Sequence, residues 1–257
     1  MRRANVAALA VIMGCLSVAS CQKAPAEETT QSSVSETSEK EGISVGDIIK
    51  FGNYPQKRTP GTDTFDPEPI EWRVLDIQDG NAIIISEYLL DTTVYYFDMA
   101  DTTWEKSSIR SWLNGKFYDA AFSDSEKELI QTVKITNSDN PLYGTPGGND
   151  TEDKVFCLSL EEVQRYFKDA DDRKAAPTEY AVKQGATVND GSTLDNGMKT
   201  GWWWLRSPAS ASNRAADVDC FGNIDTEINA DRVDGDIVFA EGNCVRPVIK
   251  IPISCIN

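Results

Sequence analysis

The sequence predicts an α+β domain built mainly from antiparallel strands, and three observations carry that expectation. Strand-like runs stand at both ends of the folded part, helical periodicity is confined to the middle, and a tight hairpin signal joins two early strands. Strands from both ends of the chain are then available to share one sheet.

Taken in order, the domain is expected to start near Ile43, with strands over Val45 to Phe51 and Ile70 to Ile77. Asp79-Gly80 is a two-residue hairpin signal, and Ala82 to Ser86 is the return strand. A helix follows that carries Ile109, Trp112, Leu113 and Phe117 on one face, with Gly115 near its expected end. Ser123 with Glu126, and Ser159 with Glu162, form capping boxes that open two further helices. Asn137 to Asp153 reads as a loop because Pro141, Pro146 and Gly147-Gly148 punctuate it. Asp169 to Thr200 reads as a second loop, broken by a short helix around Glu179 to Gln184. Ala215 to Cys220 and Ile224 to Ile228 are expected to pair across Phe221-Gly222-Asn223, and Val245 to Ile251 is the last strand.

The first twenty residues look like an export signal. Arg2 and Arg3 form a positive start, and Val6 to Val18 is apolar but too short to remain as a membrane span. Val18-Ala19-Ser20-Cys21 resembles a bacterial lipobox, which makes Cys21 the expected lipidated residue and gives a firm anchor facing the extracytoplasmic side. The alternative is an ordinary cleaved signal followed by an incidental Cys. Residues 21–42 are rich in Ser, Thr, Glu and Ala and hold too little apolar surface to fold, so they read as a solvated tether to a domain over 43–257.

Composition narrows the function. A formal charge of −16 repels phosphate backbones, so nucleic acid is not an expected partner. With no His in the chain, His-based triads, His-ligated zinc and imidazole acid–base chemistry are excluded. Cys157 lies in an apolar run and reads as a small buried hydrophobe, whereas Cys220 and Cys244 could pair in an oxidising compartment. Four remaining thiols allow three connectivities, so the pairing stays open.

Two apolar anchors, Trp202 to Pro208 and Val245 to Val248, bracket a tract of short polar side chains over 209–242. Such side chains suit adaptable hydrogen bonding on a binding face. The candidate ligand-binding residues are Ser210, Ser212, Asn213, Arg214, Asp217, Asp219, Phe221, Asn223, Asp225, Glu227, Asn229, Asp231 and Arg232, joined by Trp202 and Trp204. Strand alternation would turn Asp217, Asp219 and Phe221 outward against Ala216, Val218 and Cys220. The competing reading is a solvated hairpin with no ligand. Most of the tryptophans read as core, with one ring left to stack on a sugar or an aromatic group. Arg73, Arg110, Arg206 and Arg246 sit beside apolar residues and are expected to tie segments together through carboxylates. Asp217, Asp219 and Asp225 offer oxygen ligands, but Phe221 stands where an EF-hand-like loop needs another, so calcium is not the expected cofactor.

Gly46-Asp47-Ile48-Ile49-Lys50-Phe51-Gly52, Glu71-Trp72-Arg73-Val74-Leu75, Ile109-Arg110-Ser111-Trp112-Leu113-Asn114 and the run from Gly148 to Phe156 occur in order. With Trp203-Trp204-Leu205-Arg206-Ser207-Pro208 and Val245-Arg246-Pro247, they make the chain from Gly46 to Ile251 resemble a bacterial domain family of unknown function. That family looks like the C-type-lectin-like fold in the version shared with formylglycine-generating enzymes and with retroelement-diversified variable proteins. The resemblance implies that the segment between the tryptophan strand and the last strand forms the binding surface, for an extracellular protein or glycan. It also raises an oxidase or hydrolase on the same scaffold, and a structural envelope module with no specific ligand, as alternatives. Oxidation of substrate Cys needs paired thiols near the last strand, where this chain has Pro247. A noncatalytic, surface-anchored binding domain is therefore the expectation.

Overall fold

The computed structural model describes residues 42–224 and 235–256. Strand β1 (Ile48–Pro55) pairs antiparallel with β2 (Pro67–Gln78), which turns back into β3 (Asn81–Ser86). The expected Asp79-Gly80 turn is there: both residues have positive φ, 50° and 73°, as this tight hairpin requires. Trp72 anchors the pair from inside, fully buried, with its indole Nε1 donating to Phe51 O at 2.7 Å. A two-residue strand β4 (Asp91–Thr92) follows.

The middle of the chain is helical as its periodicity suggests. Helix α1 (Ser108–Trp112) is capped by the Ser107 side chain, which accepts from Arg110 N. Gly115 does not end it. A π-helical turn, Leu113–Phe117, carries the chain into α2 (Tyr118–Ala121) and keeps Ile109, Leu113 and Phe117 buried. Both capping boxes form, at Ser123/Glu126 on α3 (Asp124–Leu129) and at Ser159/Glu162 on α4 (Leu160–Tyr166). Strands β5 (Val133–Ile135) and β6 (Thr151–Asp153) pair, so the stretch read as one loop to Asp153 ends in a strand. Strand β7 (Val155–Phe156) comes immediately after.

The region 169–200 is more ordered than expected. It holds α5 (Ala170–Arg173), the expected α6 (Glu179–Gln184), and a ribbon of β8 (Val188–Thr193) with β9 (Lys199–Gly201). The ribbon strands are polar and mostly exposed, so hydrophobic alternation gives no sign of them.

Strand β10 (Trp203–Pro208) pairs antiparallel with β11 (Arg214–Val218), and β12 (Asp236–Ile237) adds to the outer side of β11. Of the expected hairpin across 221–223 the described residues show one bridge, Val218 to Ile224, and residues 225–228 lie outside them. The expected last strand is split in two. Cys244–Val245 (β13) runs parallel to β10, whereas Val248–Pro252 (β14) pairs with β3 and β7. Pro247 lies at the break, where it has no N–H to donate to a continuing ladder.

Two five-stranded sheets result, ordered β1-β2-β3-β14-β7 and β12-β11-β10-β13-β4. Strands from both ends of the domain share the first sheet, as expected. The fold is therefore α+β with mostly antiparallel strands. One core serves both sheets and the helices, with Trp72, Ile84, Phe117, Trp203, Val218 and Ile249 in a single cluster. No helix among the described residues is long and apolar enough to cross a membrane.

The arginines act as ties, three of them through carboxylates as expected. Arg73 forks onto Glu87 at 2.9 and 2.7 Å, Arg110 Nε meets Asp153 at 2.6 Å, and Arg206 forks onto Glu162. Arg246 is different. It has no carboxylate within bonding range among the described residues and donates to the carbonyls of Ser86 and Arg173. Cys157 is buried as expected, and Cys244 carries a free thiol, so the Cys220–Cys244 bridge is not formed.

Candidate functional site

The described residues of the polar tract 209–242 do not form one open face. Strand β11 is a central strand of its sheet, and Ala215 to Cys220 are all buried. Asp217 and Asp219 are each 4 % exposed, which corrects the expectation that alternation turns them to solvent. Alternation fails because a central strand covered on both faces has no outward side. Trp204 is also inside, with Nε1 donating to Thr93 O at 2.9 Å, and is withdrawn from the ligand-binding set. Trp202 is half-buried.

The remaining described residues divide between the two ends of β11. Ser210, Ser212, Asn213 and Arg214 lie on or beside the β10–β11 turn, with Asn213 exposed and the other three half-buried. Phe221 and Asn223 are exposed beyond the other end, about 17 Å away along a five-residue strand. Asp225, Glu227, Asn229, Asp231 and Arg232 lie outside the described residues.

At the far end Asp219 organises a turn. Its carboxylate accepts from Phe221 N and Asn223 N at 2.8 Å each, and from Asn223 Nδ2 at 3.1 Å. Those donors take up the carboxylate of Asp219, one of the three Asp in the calcium reading, and Asp225 lies outside the described residues. Among the described residues no group of three Cys, Asp or Glu is placed to hold a metal ion.

The near end gathers two more loops. The β10–β11 turn is closed by Ala209 N donating to Arg214 O and Arg214 N to Ala211 O. Thr102 N donates to Ser212 O at 2.9 Å, which seats the 93–103 loop on this turn. Asn140 Nδ2 donates to Pro208 O at 2.8 Å, which seats the 137–148 loop beside it. Val238 N donates to Asn213 O, and Tyr96 N to Val238 O, so the return toward β13 joins the same assembly.

Further hydrogen bonds fix each loop. Asn140 is only 2 % exposed, and its Oδ1 accepts from Leu142 N and Tyr143 N at 2.9 and 3.1 Å. In the other loop, Tyr95 OH donates to Arg206 O at 2.9 Å, and Phe97 N donates to Ser108 Oγ at 3.1 Å. Large apolar side chains nonetheless stand in solvent at the tips: Phe97 at 73 %, Met99 at 76 %, Leu142 at 42 % and Tyr143 at 40 %. Asp98, Asp101 and Asp139 are exposed beside them.

This crown of loops lies outside the residues that the sequence singles out. Its signal is present in Phe97 and Met99 within a polar connection that no periodicity claims, and in Asn140-Pro141 as a turn start. Cys157 and Cys244 are buried. Burial pushes the Cys157 thiol up to about 12, and burial with the nearby Asp91 charge raises Cys244 further, so neither has the thiolate character of a nucleophile or metal ligand.

A family model matches residues 79–253, described as a domain of unknown function (DUF6273). Comparison with curated proteins and with solved structures gives no match.

Proposed function

The chain belongs to the DUF6273 family, and on that premise we propose that its folded part is a noncatalytic recognition domain that binds a protein ligand through the loop crown. In this reading the chain is an exported lipoprotein anchored at Cys21, and residues 21–42 tether a C-type-lectin-like domain outside the membrane. Two sheets with flanking helices and a hairpin tip between the tryptophan strand and the last strand suit such a fold. The binding surface moves from the whole 209–242 tract to its tip residues, Ser210, Ser212 and Asn213, and the two loops seated on them.

The observation that carries this reading is the exposure of Phe97 and Met99 on a loop hydrogen-bonded to the β10–β11 turn. Large apolar groups held in water on an ordered backbone cost free energy that a partner surface recovers. Order in the free state also lowers the entropy lost on binding. Projecting aliphatic knobs such as Met99 and Leu142 suit apolar sockets on a protein better than a sugar. The neighbouring Asp98, Asp101 and Asp139, within a chain of charge −16, favour a partner with a basic rim.

Selection from a library of disulfide-constrained random peptides against the full chain tests this. Enriched peptides should be basic and apolar, and should lose binding to a Phe97→Ser/Met99→Ser/Tyr143→Ser variant whose thermal midpoint is unchanged. Peptides that bind that variant as well as the parent would refute the reading.

A further inference from the structure

A groove of about 490 Å³ lies over β1 and β2, walled by Tyr88 and by the segment 177–179, with Met198 at its rim. Its floor and walls are tied together. Gln56, 7 % exposed, donates Nε2 to the carbonyls of Glu68 and Pro69 at 3.1 and 3.0 Å, and Tyr180 N donates to Gln56 O at 2.9 Å. Leu89 N donates to Ala176 O, and Thr178 N to Leu89 O, both at 3.0 Å. The groove is thus formed before any ligand arrives, as small-molecule sites usually are.

The charges lining it are unequally satisfied. Lys50 Nζ lies 3.7 Å from Glu71 Oε1, and a third lining carboxylate, Glu179, accepts from Arg58 N at 2.9 Å. Lys57 and Glu68 also line the groove, yet among the described residues neither makes an ion pair, with each other or with any other group. A cation and an anion that line one groove without an ion pair are complementary to a ligand with charges of both signs. Between them lie apolar surfaces: Pro69, Pro177, Met198 and the half-buried Tyr88.

We propose that this groove binds the zwitterion of a short peptide. The peptide's α-ammonium faces Glu68, its α-carboxylate faces Lys57, and its side chains lie against Tyr88 and Met198. The size of the groove fits a di- or tripeptide, and a free amino acid would leave much of it to water. Neutral ligands gain nothing from the two unpaired charges, and a ligand with one charge satisfies only one of them. The site is separate from the loop crown and does not depend on the crown's function.

Calorimetric titration of the full chain with Ala-Leu-Ala tests this, set beside free leucine, glucose and the N-acetylated, C-amidated and doubly blocked forms of the tripeptide. Ala-Leu-Ala should bind saturably and more tightly than leucine. Blocking either end should weaken it about tenfold, as losing one charged contact does. Glu68→Gln should weaken the parent peptide but leave the affinity of the N-acetylated form unchanged. Lys57→Met should do the same with respect to the amidated form. Lys57 is exposed and Glu68 half-buried, so unchanged thermal midpoints should accompany both effects. The crown variant should bind the tripeptide normally. Absence of saturable binding, equal binding of the doubly blocked peptide, binding of glucose alone, or additive losses in place of these matched ones would overturn the proposal.

Discussion

The guanidinium of Arg246 lies 5.1 Å from the ring centroid of Trp203, and it is buried with no carboxylate in direct ion-pair contact among the described residues, Glu87 and Asp172 acting on it only from farther off. Phe167 covers it at 5.4 Å, and the carbonyls of Ser86 and Arg173 accept its protons at 3.0 and 3.2 Å. One side chain thereby joins the strand break at Pro247, strand β10, the end of β3 and helix α5. Burial pulls its pKa down to about 10, which still leaves it charged at neutral pH.

Removing that cation should therefore be costly. Arg246→Ala leaves a space between two aromatic rings and frees three segments, and is expected to lower unfolding free energy by about 3 kcal/mol. Arg246→Lys should recover only part of this, because an ammonium does not reproduce the planar fork. Denaturant unfolding measures both.

Asp153 is the second buried tie. It is 1 % exposed and accepts from Arg110 Nε at 2.6 Å, Trp104 Nε1 at 2.9 Å and Thr151 Oγ1 at 2.8 Å. Asp153→Asn removes the charge facing Arg110 and sets an amide against donors, so a loss of about 3 kcal/mol is expected. Equilibrium unfolding at neutral pH checks it, and a loss below about 1 kcal/mol would mean the network relaxes around the amide.

Asp91 should destabilise the protein as pH rises. Burial raises its pKa, and the hydrogen bonds from Tyr54 OH (2.6 Å) and Thr92 N (2.8 Å) offset only part of that rise. A folded pKa above the unfolded value of about 3.9 means the folded state binds more protons in between, so stability falls as pH climbs through that window. Asp91→Asn should remove this loss. Its unfolding free energy relative to the parent should increase from pH 4 to pH 7.

Two glycines with similar backbone angles should respond very differently. Gly80 (φ +73°) has nothing within 4 Å of the place a methyl group would take, so Gly80→Ala should cost about 1 kcal/mol, from backbone strain. At Gly222 (φ +82°) a Cβ would lie 1.8 Å from Ala170 O, and Arg173 Nε donates to Gly222 O at 2.6 Å. Gly222→Ala must push two backbones apart and should cost well above 2 kcal/mol, with loss of order in 219–223. Paired thermal melts separate the two.

The frame is legible in the sequence where local physics decides. Asp79-Gly80, the two capping boxes and the face of Ile109, Leu113 and Phe117 each depend on a few neighbouring residues, and each forms. Polar strands such as β8 and β9 are not legible, because their pairing owes little to apolar alternation. Asp217 and Asp219 are misplaced for a related reason. A polar side chain on a central strand is buried by what lies over it, and the sequence of the strand itself does not reveal that cover. The crown depends on contacts such as Asn140 to Pro208 and Thr102 to Ser212, which link residues 68 and 110 positions apart in the chain.

Hydrogen exchange of the full chain, with and without a constrained peptide selected against it, tests the central claim most directly. The account predicts slowed exchange over 96–103, 140–147 and 210–213, with β1 and β2 unchanged. Protection confined to the far turn at 219–223 or to the β1–β2 groove, or none at all, would contradict it.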